Sequence, residues 1–569
     1  MTHAKKTLAS LSLLFLGSIA LAASDATDKG GGLDPARILE PLKDSWLTYS
    51  GDYSGKRYSA LTQINQTNVK HLTLAWASRF TSGLGGGGGR FGGGGGPETI
   101  IGGEGTTDLP PPQFGGATSI RASVLQVDGV LYLSTPDNVW AADAHDGHIL
   151  WHYFWKTRGG THIGNRGVAM WGHYLYVETP DDYLVSLDAR TGKERWHKVI
   201  ADFNLQYFST PAPIVVGNHV LVGTGNDLDE PGFLQSFDPE TGELQWKYFT
   251  TPQNPGDPGI ETWGSLDAAR HGGAQVWVDG SYDPETKYYI FSTGNPTPAY
   301  TNSPGRKGDN LYTCSLMAVH VDTGKMAWYY QTSPHDTHDW DSAQTPALVD
   351  GEFGGKPRKM AMTAARNGYF FVVDRITGEH LVTGKFSEAV NWAKGINAKG
   401  QPIWDPAKDS SIGGSLVSSN NSGATNWPPP SFSPDTGLFY VPLAESYAMY
   451  YLTETDPRGA MGLGGKDEQS LTSTSWLAAI DYKTGKTAWR HRYPGSGGGT
   501  NGLLTTAGKL LFAGDTSGNM VAYDPANGKT LWHTHLGQIS NAPQTYMLDG
   551  HQHLLVAAGD TLYAFTIEE

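Results

Sequence analysis

One eleven-residue pattern limits what this chain can fold into: a small residue, any residue, Asp, two residues, Thr-Gly, three residues, Trp. With minor changes it stands as AADAHDGHILW (141–151), SLDARTGKERW (186–196), SFDPETGELQW (236–246), AVHVDTGKMAW (318–328), AIDYKTGKTAW (479–489) and AYDPANGKTLW (522–532). A weaker copy, VVDRITGEHLV (372–382), lacks the Trp. Asp and Thr-Gly close a tight turn between two strands, with Gly at the left-handed position. The Trp can then leave its own strand and pack on a neighbour. Runs such as HYLYVET (173–179) and KLLFAGD (509–515) precede the turns and read as strands. The turn glycines, Gly147, Gly192, Gly242, Gly324, Gly378, Gly485 and Gly528, are spaced by 45, 50, 82, 54, 107 and 43 residues. Most gaps lie near a propeller-blade period of about 40–50, and the two long ones leave room for an insertion or an unmarked blade. A repeat array that must hide its strand edges closes into a ring. The pattern therefore predicts an all-β, eight-bladed β-propeller with tryptophan-docking repeats. Residues 23–569 are expected to form a single propeller domain, in place of the several domains that 569 residues suggest by length.

Composition agrees and excludes other classes. With 74 Gly, 18 Trp and 27 Tyr, the chain is rich in turn formers and in large apolar surface, which rules out wholesale disorder. A net charge of −15 argues against an electrostatic grip on nucleic acid. The one cysteine, Cys314, excludes an internal disulfide, a cysteine-based zinc site and a haem attached through Cys-x-x-Cys-His. Lys5 and Lys6, the apolar run from Leu8 to Ala22 and the small residues Ala20 and Ala22 read as a cleaved signal peptide over 1–22, so export to the periplasm is expected. No later run reaches the length of a membrane span, so none is expected in the mature chain. The tract 83–96, GLGGGGGRFGGGGG, has no strand pattern and reads as a flexible insertion. No Gly-Lys-Ser/Thr follows it, which argues against a phosphate loop.

Several stretches carry residues suited to chemistry. YYQTSPHDTHDWDSAQTPALVD (329–350) holds Asp336, Asp339 and Asp341; GGAQVWVDGSYDP (271–283) holds Trp277; FSTGNPTP (291–298) holds Asn295; AARNGYFFVVDRITG (364–378) holds Arg366. If Asp-x-Asp is strand-like, the carboxylates of Asp339 and Asp341 point the same way and can share one cation. The added hard anionic oxygen favours a more highly charged ion. Together with the Trp repeat, these stretches resemble the quinoprotein alcohol dehydrogenases, which use pyrroloquinoline quinone (PQQ). The resemblance covers nearly the whole mature chain. The repeat alone is shared with non-enzymatic propellers of bacterial envelopes.

The resemblance implies roles, residue by residue. Asp339 is the catalytic base. Asn295, Asp339, Asp341 and Asp227 hold the metal; Asp227 falls on the family's glutamate within VLVGTGNDLDEPG (220–232), where Asp229 or Asn226 are alternatives. An acid at 341 is associated with lanthanide use, and calcium is the other candidate. Trp277 forms the floor under PQQ, with Arg166, Thr210, Thr224, Arg366 and Asn426 as further PQQ contacts. The chain also departs from the family. Gly160-Thr161 stand where relatives carry two adjacent cysteines, so Thr161 or His162 are candidates for the ceiling over the quinone. Arg121 replaces a glutamate and Thr500 a tryptophan. The implied activity is oxidation of an alcohol to an aldehyde or ketone by metal-assisted hydride transfer to PQQ. With no fused haem module, the electrons pass to a separate acceptor, a cytochrome c by resemblance. The alternative is a non-catalytic envelope propeller acting in binding or assembly. A calcium-dependent hydrolase or lyase is a third reading, for which no distinctive spacing is found.

Overall fold

The computed structural model describes residues 32–83, 97–106, 119–160, 164–301, 304–452, 466–494 and 501–567. The expected signal peptide, the glycine tract beyond Gly83, and Thr161, His162 and Thr500 lie outside these residues.

Each repeat is a turn joining the third and fourth strands of an antiparallel sheet. In the second sheet, Ala169–Trp171, Tyr174–Glu178, Tyr183–Asp188 and Glu194–Val199 lie side by side in that order. Asp188 closes the last turn by accepting hydrogen bonds from the backbone N–H of Arg190 and Thr191, while Gly192 takes φ +69°. Eight such blades follow one another among the described residues. The ring is an eight-bladed β-propeller. The two long gaps are both insertions: 250–280 carries the short helix Leu266–Arg270, and 386–430 carries a separate two-stranded sheet. Neither hides a blade.

The eighth blade is the one the repeat does not mark. Its inner strands, Gln544–Leu548, His551–Ala558 and Thr561–Ile567, come from the end of the chain, and its outer strand is Leu72–Arg79 from the start, with Leu72 opposite Ile567. Closure thus leaves neither terminal strand with a free edge on that side.

Tryptophans seal the joints between blades. The indole Nε1–H of Trp151 donates to Ala189 O at 2.9 Å, and the ring lies flat on Gly192 of the next blade. Trp76, Trp196, Trp246, Trp328 and Trp489 repeat the arrangement on Gly147, Gly242, Gly324, Gly378 and Gly528. A side chain on any of these glycines would strike the ring, at 2.5–2.9 Å. The Trp-less copy is sealed differently. Val382 touches Gly485, and Gly384 brings its backbone against the Gly485 carbonyl, where a Cβ would stand 1.9 Å from the oxygen.

The segment 46–59 crosses the axis. It bonds to the inner strands of blade 1 (Trp46–Gln126), blade 4 (Tyr53–Tyr282), blade 5 (Ser54–Leu348), blade 6 (Lys56–Phe432) and blade 7 (Arg57–Thr505). Arg57 is fully buried beside Trp46 and has carbonyls rather than a carboxylate as main partners: Nε to Leu503 O, 2.9 Å; Nη1 to Tyr49 O, 2.9 Å; Nη2 to Pro543 O, 2.8 Å. Burial without a counter-ion pulls its pKa down to about 10.

Candidate active site

Most of the predicted residues meet on the axis side of blades 2 to 5. The segment 334–345 is not strand-like, as the Asp-x-Asp argument assumed. It is irregular, and Asp339 sits in the left-handed region at φ +65°. The carboxylates converge for another reason. Trp340 between them is fully buried, stacked on His338 at 4.3 Å, tilted against Trp392, and bonded through Nε1 to Asn420 O. Anchoring that indole in the core leaves Asp339 and Asp341 to meet at Arg366: Asp339 Oδ1 lies 3.4 Å from Nη1 and Asp341 Oδ2 lies 3.3 Å from Nη2. Arg366 Nη1 also donates to the Asp339 carbonyl at 3.0 Å. The turn is stapled by Asp336, whose Oδ2 accepts from the N–H groups of His338 and Trp340.

Asp341 is further held by Trp277 Nε1 at 2.8 Å and the Asn295 backbone N–H at 2.5 Å. Asn295 donates its Nδ2 to Pro296 O, which leaves Oδ1 for a cation. Burial raises the pKa of both Asp339 and Asp341. The Arg366 guanidinium opposes the shift, and the neighbouring charge of Asp227 adds to it. Asp227, Asn295, Asp339, Asp341, Trp277 and Arg366 thus form one electrostatic unit.

At the other end of Trp277, its carbonyl accepts from Arg166 Nη1 and Thr210 Oγ1, both at 3.0 Å. The Arg166 guanidinium lies between two indoles, 5.0 Å from Trp277 and 4.7 Å from Trp427. Arg366 lies 5.2 Å from the Trp277 ring. Two expected residues stand apart. Thr224 is fully buried and gives its hydroxyl to Asp182 and to Phe208 O. Asn426 bonds within its own loop, to Ser422 O and the Trp427 N–H, and lines a cavity of about 380 Å³ with Asn420, Ser446 and Ser473.

Sequence reasoning missed three features. The Tyr300 hydroxyl donates to Asp339 Oδ2 at 3.1 Å, five residues beyond Asn295. Trp427, directly after Asn426, completes the sandwich on Arg166. Glu178, Asp182 and Asp279 are buried beside this end of the site; burial pushes Asp182 and Asp279 up to about 7 and Glu178 well above its usual range.

The donors fit a cation and a flat polyanion. Two buried carboxylates, Asp339 and Asp341, face one guanidinium with the charge of Asp227 nearby, and their hard oxygens suit calcium or a lanthanide. Arg166 and Arg366 flank one indole, and each has a buried Nε without a hydrogen-bond partner, as a planar carboxylated ligand on Trp277 requires.

Comparison with known proteins agrees. A family model described as glucose/ethanol/alcohol dehydrogenase, beta-propeller domain, matches residues 46–389, which hold all the predicted site residues except Asn426. A second, described as outer membrane protein assembly factor BamB, matches residues 473–569, which hold none of them. The chain is 34% identical over 558 residues to quinohemoprotein alcohol dehydrogenase ADH IIB of Pseudomonas putida, covering 93% of this chain and 75% of that one. Its fold matches quinohemoprotein alcohol dehydrogenase of Comamonas testosteroni with a TM-score of 0.82 and 30% identity, over 95% of this chain and 83% of that one. It matches a europium-containing methanol dehydrogenase with a TM-score of 0.77 and 26% identity, over 93% and 99%. The chain belongs to the PQQ-dependent alcohol dehydrogenase family.

Proposed function

We propose that this protein oxidises an alcohol to an aldehyde or ketone with PQQ on the Trp277 face and one cation held by Asp227, Asn295, Asp339 and Asp341. The observation that carries the reading is the convergence of Asp339, Asp341 and Arg366 on the edge of Trp277. When bound, PQQ supplies a two-electron hydride acceptor and the cation a Lewis acid.

The chain's own residues supply the rest. Arg166 and Thr210 would hold the carboxylates of the cofactor, and Trp427 fixes the Arg166 guanidinium beside them. Thr224 and Asn426 act through neighbours, Thr224 by orienting Asp182 and Asn426 by fixing the Trp427 turn. Asp339, as carboxylate, takes the proton of the alcohol hydroxyl. The Tyr300 hydroxyl and the Arg366 guanidinium favour its charged form against the effect of burial, and aim it. Asp341, locked by Trp277 and Asn295, gives the site an additional anionic oxygen. That oxygen, with the likeness to a europium-containing dehydrogenase, favours a lanthanide over calcium. The start of the chain supports export to the periplasm, and the likeness to a 1-butanol dehydrogenase (cytochrome c) of Thauera butanivorans supports a cytochrome c as electron acceptor.

The test is reconstitution of the purified apoprotein with PQQ and either Ca²⁺ or La³⁺, followed by dye reduction with a panel of alcohols. Alcohol-dependent reduction that Asp339→Asn abolishes is expected. Absence of reduction with either metal would favour the binding or assembly propeller instead. Calcium activity untouched by Asp341→Ala would remove the lanthanide preference.

A further inference from the structure

The cavity beside Asn426 lies between the loop 420–428 and the paired strands Leu438–Leu452 and Lys466–Asp481 of blade 6. Its volume of about 380 Å³ has room for about a dozen waters. Trp277, Arg166, Arg366 and Asp339 are not among its lining residues, so it adjoins the cofactor platform and is not part of it. The loop is a wall common to both. Asn420 O accepts from Trp340 Nε1 at 3.1 Å, Ala424 N donates to Arg366 O at 2.8 Å, and Asn421 O lies 3.5 Å from Arg366 Nη1. That same nitrogen faces Asp339 Oδ1 at 3.4 Å. One guanidinium nitrogen therefore links the cavity wall to the base. At the other end of the loop, the Trp427 indole both holds Arg166 and lines the cavity.

The wall has an unusual chemistry for a pocket. Ligand sites are mostly apolar with a few polar groups. Here half of the lining residues carry a hydroxyl or an amide: Asn420, Ser422, Thr425, Asn426, Ser446 and Ser473. The side-chain amide of Asn420 and the hydroxyls of Ser422 and Ser473 have no hydrogen-bond partner among the described residues. Ser446 Oγ accepts from the Asn420 N–H, and Thr425 Oγ1 accepts from Gln344 Nε2, so each of these hydroxyls still has a proton to donate. The rest of the lining is Trp427 and small residues, with no charged side chain and no aliphatic one larger than proline.

Resting on the dehydrogenase reading above, we propose that this cavity binds the remote hydroxyls of the substrate, and that the substrate class is a neutral polyol. Three observations select it. An alkyl chain would strip water from the free amide and hydroxyls and return no hydrogen bond. A carboxylate or an ammonium group would find no opposite charge in the wall. A polyol offers a donor and an acceptor at each carbon and can lay its C–H face on the Trp427 ring. A site built to bond a hydroxyl rejects the analogue that lacks it, so the preference is set by the groups left unpaired. The cavity supplies binding alone: the O–H proton of the reacting carbon still goes to Asp339 and its hydride to the cofactor.

The experiment compares erythritol with 1-butanol, two four-carbon alcohols that differ in their remote hydroxyls, in dye-linked oxidation by the reconstituted enzyme. In the wild type, kcat/KM for erythritol is expected to exceed that for 1-butanol at least tenfold. The triple variant Asn420→Leu, Ser422→Ala, Ser473→Ala is expected to lower the erythritol-to-butanol ratio at least tenfold. Ser422→Ala alone, at an exposed position where folding is not at stake, is expected to lower it about threefold. A wild type that oxidises 1-butanol but not erythritol would overturn the proposal, as would a ratio unchanged in both variants. If no alcohol reduces the dye, the dehydrogenase reading fails, and saturation-transfer NMR on the apoprotein with erythritol decides the cavity. Transfer that the triple variant loses would keep it as a polyol site, and absence of transfer in the wild type would overturn that as well.

Discussion

Replacing Trp76 by alanine opens the joint between the closing blade and blade 1. The indole is 8% exposed, lies on Gly147 and donates to Ala144 O at 3.0 Å. An aromatic of this size removes about 200 Å² from water, worth about 5 kcal/mol at roughly 25 cal/mol per Å². The lost hydrogen bond adds about 1 kcal/mol, and partial collapse of the cavity returns some of the total. A net loss of about 4 kcal/mol is expected, a large share of the stability of a typical domain. Trp76→Phe keeps most of the ring and is expected to lose about 2 kcal/mol. Guanidinium unfolding followed by tryptophan fluorescence gives both midpoints, and the unfolding rate in native buffer gives the same order if refolding is incomplete. Brief proteolysis should release the Leu72–Arg79 strand from the alanine variant first, since among the described strands it pairs only with Thr561–Ile567. If Trp76→Ala lies within 1 kcal/mol of wild type, or if phenylalanine does as much harm as alanine, docking of the indole on the turn glycine is not what holds the joint.

Arg57→Met keeps the buried volume but leaves the carbonyls of Leu503, Tyr49 and Pro543 without their donor; about 4 kcal/mol of lost stability is expected in denaturant titration. Gly384→Ala drives a methyl into the Gly485 carbonyl and is expected to lose at least about 3 kcal/mol by the same measurement, whereas Gly550→Ala, with open space around it and φ +82°, should lose only about 1 kcal/mol. Tyr300→Phe removes a donor to Asp339. Donation to a carboxylate favours the charged form, so the variant's Asp339 pKa moves up and the acid limb of kcat against pH is expected about one unit higher. An unmoved limb would show that Tyr300 only packs.

How much could be read beforehand depended on how local the signal was. Seven turns were legible because Asp, Thr and Gly act within a few residues of one another. The eighth blade was not, because Leu72–Arg79 finds its partner at the other end of the chain and no turn joins them. Val382 in place of Trp announced an unusual joint; its solution, close backbone contact through Gly384, depends on a neighbour about a hundred residues away. In the site, Trp277, Asn295, Asp339, Asp341 and Arg366 stood in the stretches that carry the family resemblance. Tyr300 and Trp427 carried no such mark, and their roles arise from packing around Asp339 and Arg166. The Asp-x-Asp reasoning expected two acids that do meet, at Arg366, but by another geometry, since buried Trp340, rather than strand alternation, brings them together.

The pairing of Leu72 with Ile567 also fixes an order of events. Bringing those strands together closes a loop of roughly 500 residues, an entropic cost of about 5 kcal/mol before any contact forms. Blades 1 to 6, and the strands Leu504–His535 of blade 7, can assemble from neighbouring strands while the chain is still being made, but the ring cannot. Until Thr561–Ile567 is available, Leu72–Arg79 has no strand to pair with and the ring stays open. The step that locks the structure therefore cannot run until the strand Thr561–Ile567 has been made.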